Sequence, residues 1–218
     1  MSISHPAPPS ALAVSASGPV DTNTLQRVAV VIIASHAVLL GVVQWLLFEQ
    51  FLERTVPDAA QAVATAFRQY TLRVFGAEVA ALAAAAAAVV VARLLLGRVG
   101  NSRRIAAAGV IAYAPITLWS MGVLLALAMG WQPDVWLMSA ADARAPEIAA
   151  TVREALPIVL QPLLLGRHMA TVVAAIAFAI LQWRLCRVSA SHAAMMGTAA
   201  GVAAIAAQVL MLGVPMTE

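Results

Sequence analysis

Residues 92–122 read ARLLLGRVGNSRRIAAAGVIAYAPITLWSMG, two long apolar runs that meet at a short basic turn from Gly97 to Arg104. Apolar runs of this length are membrane spans, because about 20 helical residues cross about 30 Å of hydrocarbon. The turn between them stands in water. Arg98, Arg103 and Arg104, with Arg93 one helical turn earlier, make it the most basic stretch of the chain. Arginines in short loops mark the cytoplasmic side of a membrane protein, and the other segments are oriented from this one.

The whole chain agrees with that start. Its 218 residues are 62% hydrophobic and 11% charged, with a mean hydropathy of +0.90, too apolar for a domain that must present a polar surface to water. The fold class is therefore all-α, a polytopic membrane bundle with five transmembrane helices. All thirteen basic residues are arginine and alanine dominates the apolar set. That is the mark of a GC-rich, bacterial-type genome rather than of phosphate binding. The net charge of +3 gives no reason to expect a nucleic-acid partner. The single cysteine, Cys186, leaves no intrachain disulfide and no multi-cysteine zinc site.

On the N-terminal side, residues 1–26 are rich in Pro, Ser and Ala and read as a disordered tail. No basic region precedes their weak apolar patch, so they are expected to be retained rather than cleaved as a signal peptide. The first span covers about 28–48, interrupted by His36 and Gln44, with Trp45 near one end. Residues 50–73 then place Asp58, Gln61, Thr65, Arg68 and Gln69 on one helical stripe, which predicts an amphipathic helix outside or on the membrane. The second span covers about 75–96. Its alanine run from Ala83 to Ala88 allows close helix approach in lipid, and Glu78 falls in its first turn, where the helix dipole favours a carboxylate.

On the C-terminal side, the third span covers about 105–130. Pro115 removes a backbone donor and is expected to kink it, and Tyr113 offers a hydroxyl to a neighbouring helix. A long loop, 131–162, mixes both signs of charge. The fourth span covers about 163–185, with Arg167 and His168 at its start, and the fifth about 192–214. An odd number of spans puts the termini on opposite sides. With the basic turn in the cytoplasm, the N-terminus is cytoplasmic and the C-terminus outside, and the setting is a bacterial cytoplasmic (inner) membrane. The density of arginine in short turns free of acids decides this orientation.

Sites of familiar chemistry are hard to place. His36, His168 and His192 are expected at three different depths, which excludes a haem or metal held between them. Ser120 lacks the first glycine of a Gly-x-Ser-x-Gly elbow, and no acid is expected deep in a span to orient a histidine. The same shortage speaks against an ion-coupled transporter, which would need midplane carboxylates. No P-loop, dinucleotide fingerprint or internal repeat is present. The expectation is a non-enzymatic protein without cofactor. Its candidate intramembrane polar positions are Glu78, Tyr113, Pro115 and His36, and its candidate lipid or partner contacts are Arg98, Arg103 and Arg104.

The central hairpin resembles the Yip1 family of small integral membrane proteins. The resembling features are Arg93-Leu-Leu-Leu-Gly97, the turn Gly100-Asn-Ser-Arg-Arg104, and Ala112-Tyr113-Ala114-Pro115, similar to the family's Tyr-x-x-Pro pattern. Trp183-Arg-Leu-Cys-Arg-Val-Ser-Ala-Ser-His192 is similar to its last polar turn. The likeness spans about 28–214, while the tail and the long loop depart from the family's compact core. It implies five spans, a cytoplasmic N-terminus and a non-enzymatic role in organising membrane components. Eukaryotic members bind small GTPases in vesicle traffic, a role not carried over to a bacterial-type chain. The implied partners are membrane lipids, a membrane-protein partner or a second copy of the chain. Two other roles fit the pattern of spans. One is a small transport or channel component with a path near Glu78, Tyr113 and Gln208; the other is an accessory subunit of a larger membrane complex.

Overall fold

The computed structural model describes residues 22–53, 60–131 and 160–212. Most of the expected tail and of the loop 131–162 lies outside the described residues. Within them the backbone forms helices α1 (Thr22–Glu53), α2 (Ala60–Leu95), α3 (Ser102–Ile111), α4 (Ala114–Ala128), α5 (Gln161–Leu185) and α6 (Ala190–Leu212), and no strand occurs among the described residues. Hydrocarbon offers backbone amides no partner, so apolar stretches must close their hydrogen bonds along the chain. Five spans are long and apolar enough to cross a membrane: Asn23–Gln50, Val63–Leu95, Ser102–Ala128, Leu163–Leu185 and Ala190–Leu212. The chain is a multi-pass membrane protein.

One element differs from the sequence expectation. The second span does not begin at residue 75, because α2 starts at Ala60 and runs through the polar stripe without a break. No Pro or Gly interrupts residues 60–75, and an alanine-rich stretch continues a helix once nucleated. The third span is one span, Ser102–Ala128, as expected, and its interruption falls just before Pro115, which was expected to kink it. The chain turns at Ala112-Tyr113, and Pro115 sits in the first turn of α4, where its missing N–H costs nothing.

The helices close into a ring. α1 packs on α3 and α4, these on α5, α5 on α6, and α6 most extensively on α2; the α1–α2 joint that completes the ring is the thinnest. Small residues permit the closest approach. A Cβ on Gly197 would stand 2.8 Å from the Ala175 carbonyl oxygen, and one on Gly201 2.8 Å from the Ala175 methyl, so α6 lies backbone-to-backbone on α5.

The α2–α3 and α5–α6 turns share one end of the ring, where a Cβ on Gly100 would meet Val188 at 3.2 Å. Gly97, Arg98 and Gly100 adopt φ of 79°, 60° and 76°, and glycine enters that left-handed region without steric cost. Asn101 caps α3 by accepting the amides of Arg103 and Arg104. Arg93 folds over the turn, donating to the carbonyls of Val99 and Gly100 and to the Ser102 hydroxyl. Two apolar clusters divide the interior. One, around Ile105, Phe178 and Met196, lies at the basic end; the other, around Leu47, Phe67 and Leu160, lies at the far end.

Candidate functional site

Between the two apolar clusters lies a charged centre assembled from four spans. Glu78 stands about 27 Å from the start of α2 and about 26 Å from its end at 1.5 Å per residue, and is 8% exposed. Glu78 is thus at the middle of a helix rather than in a first turn, because the helix it belongs to is longer than the apolar run alone. The Arg167 Nε–H donates to Glu78 Oε1 at 2.6 Å, and Arg167 Nη2 donates to Oε2. The pair is bidentate, the geometry in which a guanidinium and a carboxylate bind most strongly. The Tyr113 hydroxyl donates to Glu78 Oε2 at 2.6 Å and accepts from Arg167 Nη2 at 2.9 Å.

The break in the third span makes this contact possible. Tyr113 is the first residue before α4, and its carbonyl accepts the amides of Ile116 and Thr117. The phenol reaches Glu78 of α2 and Arg167 of α5. His36 of α1 packs edge-on to the Tyr113 ring at 4.9 Å between centroids, with Nε2 4.0 Å from Glu78 Oε2. His36 is buried and neither ring nitrogen has a hydrogen-bond partner among the described residues; the same holds for Arg167 Nη1. The centre therefore carries one bidentate ion pair, one shared phenol and three nitrogens free to bond.

A cavity of about 70 Å³ adjoins the pair on its far side. Glu78, Arg167, His168 and Gln208 supply its charged and polar lining, with Gln44, Tyr70 and Ser120 higher along the walls; the remaining wall is apolar, from Leu47 and Val74 to Leu160. His168 Nδ1 lies 3.1 Å from Gln208 Oε1, which ties α5 to α6 beside the pair. On the scale at which one water fills about 10–15 Å³, the cavity has room for several waters or a solute of a few heavy atoms.

Of the intramembrane positions expected from sequence, the fold brings Glu78, Tyr113 and His36 together. Pro115 contributes through the turn it starts. Arg167 was expected near the surface at the head of the fourth span, yet its side chain is 11% exposed. Its burial comes from its contacts with Glu78 of α2 and Tyr113 at the head of α4. An acid and an arginine of matching depth on two spans were the signal that could have found the pair. Arg98, Arg103 and Arg104 stay apart from this centre, at the basic end; Arg98 and Arg103 are exposed and Arg104 is half-buried. Cys186 lies in the α5–α6 turn, where burial pushes its thiol upward and nearby Arg104 acts in the opposite sense. Among the described residues no three His, Cys, Asp or Glu side chains converge to hold a metal ion.

A ring of five apolar helices closed around a buried ion pair defines a multi-pass membrane protein with an intramembrane polar centre. Comparison of the chain with protein families, characterised proteins and solved structures found no match.

Proposed function

We propose that the chain is a non-enzymatic membrane protein of the small transport or channel class, which binds a small anionic or weakly acidic solute at the Glu78–Arg167 centre. One observation carries this: the cavity sits directly on the ion pair, within the spans, rather than at the water-facing ends. Intramembrane charge costs about 2.5–3.5 kcal/mol per residue on insertion scales, so its retention beside a cavity points to use. Arg167 Nη1 is the free donor for a carboxylate or similar oxyanion, Glu78 holds the guanidinium in place and balances its charge, and His168, Gln208 and Ser120 offer further hydrogen bonds. The sequence objection to an ion-coupled transporter was the expected lack of an acid deep in a span, and the mid-helix position of Glu78 supports the transport reading instead.

The test is flux into sealed proteoliposomes carrying a trapped pH-sensitive dye, with formate and acetate as probes. Influx faster than in protein-free liposomes, and lost in Arg167→Gln and Glu78→Gln proteins that remain monodisperse and helical, supports the proposal. Equal rates with and without the protein overturn it.

A second reading, a Yip1-like organiser of membrane components in a bacterial cytoplasmic membrane, rests on a different feature. Arg98 and Arg103 are exposed on a turn braced by Arg93 and capped by Asn101, a rigid basic surface suited to anionic headgroups or a partner's acidic face.

A further inference from the structure

The thin α1–α2 joint opens, on its outward side, into a cleft of about 460 Å³. Gly41, Gln44 and Trp45 of α1 line one wall, and Arg68, Thr71 and Phe75 of α2 line the other. The volume lies within the roughly 300–1,000 Å³ typical of small-molecule sites. The cleft runs along about 21 Å of α2 between Gln61 and Phe75, long enough for much of an extended acyl chain. Its lining is graded. Gln61, Thr65 and Arg68 lie toward the start of α2, and Phe75, opposite Gly41, lies toward the middle of the span. Gly41 leaves the wall open, since a Cβ there would meet no atom within 4 Å.

We propose that this cleft binds a long-chain carboxylate from the surrounding bilayer, with its headgroup on Arg68 and its chain running along Phe75 and Trp45 past Gly41. Charge complementarity selects the anion: among the described residues lining the cleft, Arg68 is the one cation and there is no acid. The cleft also touches the central cavity, because Gln44 lines both. The Thr71 hydroxyl donates to Gln44 Oε1 at 3.3 Å across the joint, so Gln44, which lines both spaces, is held from the cleft side. The site does not involve Glu78 or Arg167, so it stands or falls separately from the proposed solute site.

Trp45 is 57% exposed and lines the cleft, which supplies the reporter. The full-length protein in nanodiscs is titrated with dibrominated stearic acid, whose bromines quench tryptophan on contact. The expected result is a saturable quenching phase that disappears in Trp45→Phe, weakens about fivefold in Arg68→Ala, and is abolished in Gly41→Leu, whose side chain starts from a Cβ that meets no atom within 4 Å and projects into the cleft. Quenching that never saturates, or that is unchanged in Gly41→Leu, overturns the site. Equal affinity for the uncharged methyl ester overturns the role of Arg68, and equal affinity for a brominated phosphatidylglycerol overturns the assignment to a carboxylate.

Discussion

At the scale of residues, the energetics turn on Glu78 and Arg167. Removing one partner of a buried pair leaves an uncompensated charge and costs about 3–5 kcal/mol, whereas removing both together costs far less. A double-mutant cycle of Glu78→Gln and Arg167→Gln, read by thermal unfolding in nanodiscs, is therefore expected to give single variants that are each less stable than the double variant. The expected coupling exceeds about 2 kcal/mol; additivity within about 0.5 kcal/mol would mean that the two charges do not meet. Tyr113 and His36 were legible as polar positions within apolar runs, but their convergence was not. The Glu78–Arg167 contact joins residues 89 apart in sequence, and nothing local specifies it.

At the scale of elements, the spans were legible because lipid demands about 20 apolar residues in helical form, and such runs stand out at 62% hydrophobic composition. The extent of α2 was not. Its first part carries Gln61, Thr65, Arg68 and Gln69, which look like a separate surface helix when hydropathy alone sets the boundary. Yet their stripe is itself a helical signal that runs unbroken into the apolar part. That misplaced boundary is what put Glu78 at a helix end in the sequence reading. The α2–α3 turn shows the converse: the stretch from Gly97 to Arg104 was legible at once as a turn, and the structure adds that Asn101 caps α3. Within it Arg93 is consumed by internal bonds, leaving Arg98, Arg103 and Arg104 for the surface. Replacing these three by alanine is expected to weaken binding to anionic vesicles by about 1 kcal/mol for each exposed arginine, with unfolding unchanged. Vesicle co-sedimentation checks it; undiminished binding would reduce the turn to a topology signal.

At the scale of the molecule, the ring is tightly joined on four sides and thinly on the fifth. α6 lies on α5 at backbone distance through Gly197 and Gly201 and on α2 over the most extensive contact, while the thinner α1–α2 contact includes the Gln44–Thr71 bond and the Phe48–Phe67 ring pair. A bundle built this way holds its polar centre rigidly and leaves one lateral seam. The charged centre, its cavity and the seam lie one beside the next, and Gln44 lines both the cavity and the cleft.

The central claim is that the cavity on the Glu78–Arg167 pair is open to water-soluble solutes. Cys186 is the only cysteine, so Cys186→Ser gives a cysteine-free background into which single cysteines are placed. Ser120 lines the cavity and is 6% exposed, whereas Leu118, two residues away, is 66% exposed on the outer face of the ring. In proteoliposomes treated with a small charged methanethiosulfonate, Ser120→Cys is predicted to react, more slowly when acetate is present, and Leu118→Cys to stay unreactive in lipid. An unreactive Ser120→Cys, or one that reacts no faster than Leu118→Cys, would contradict the account.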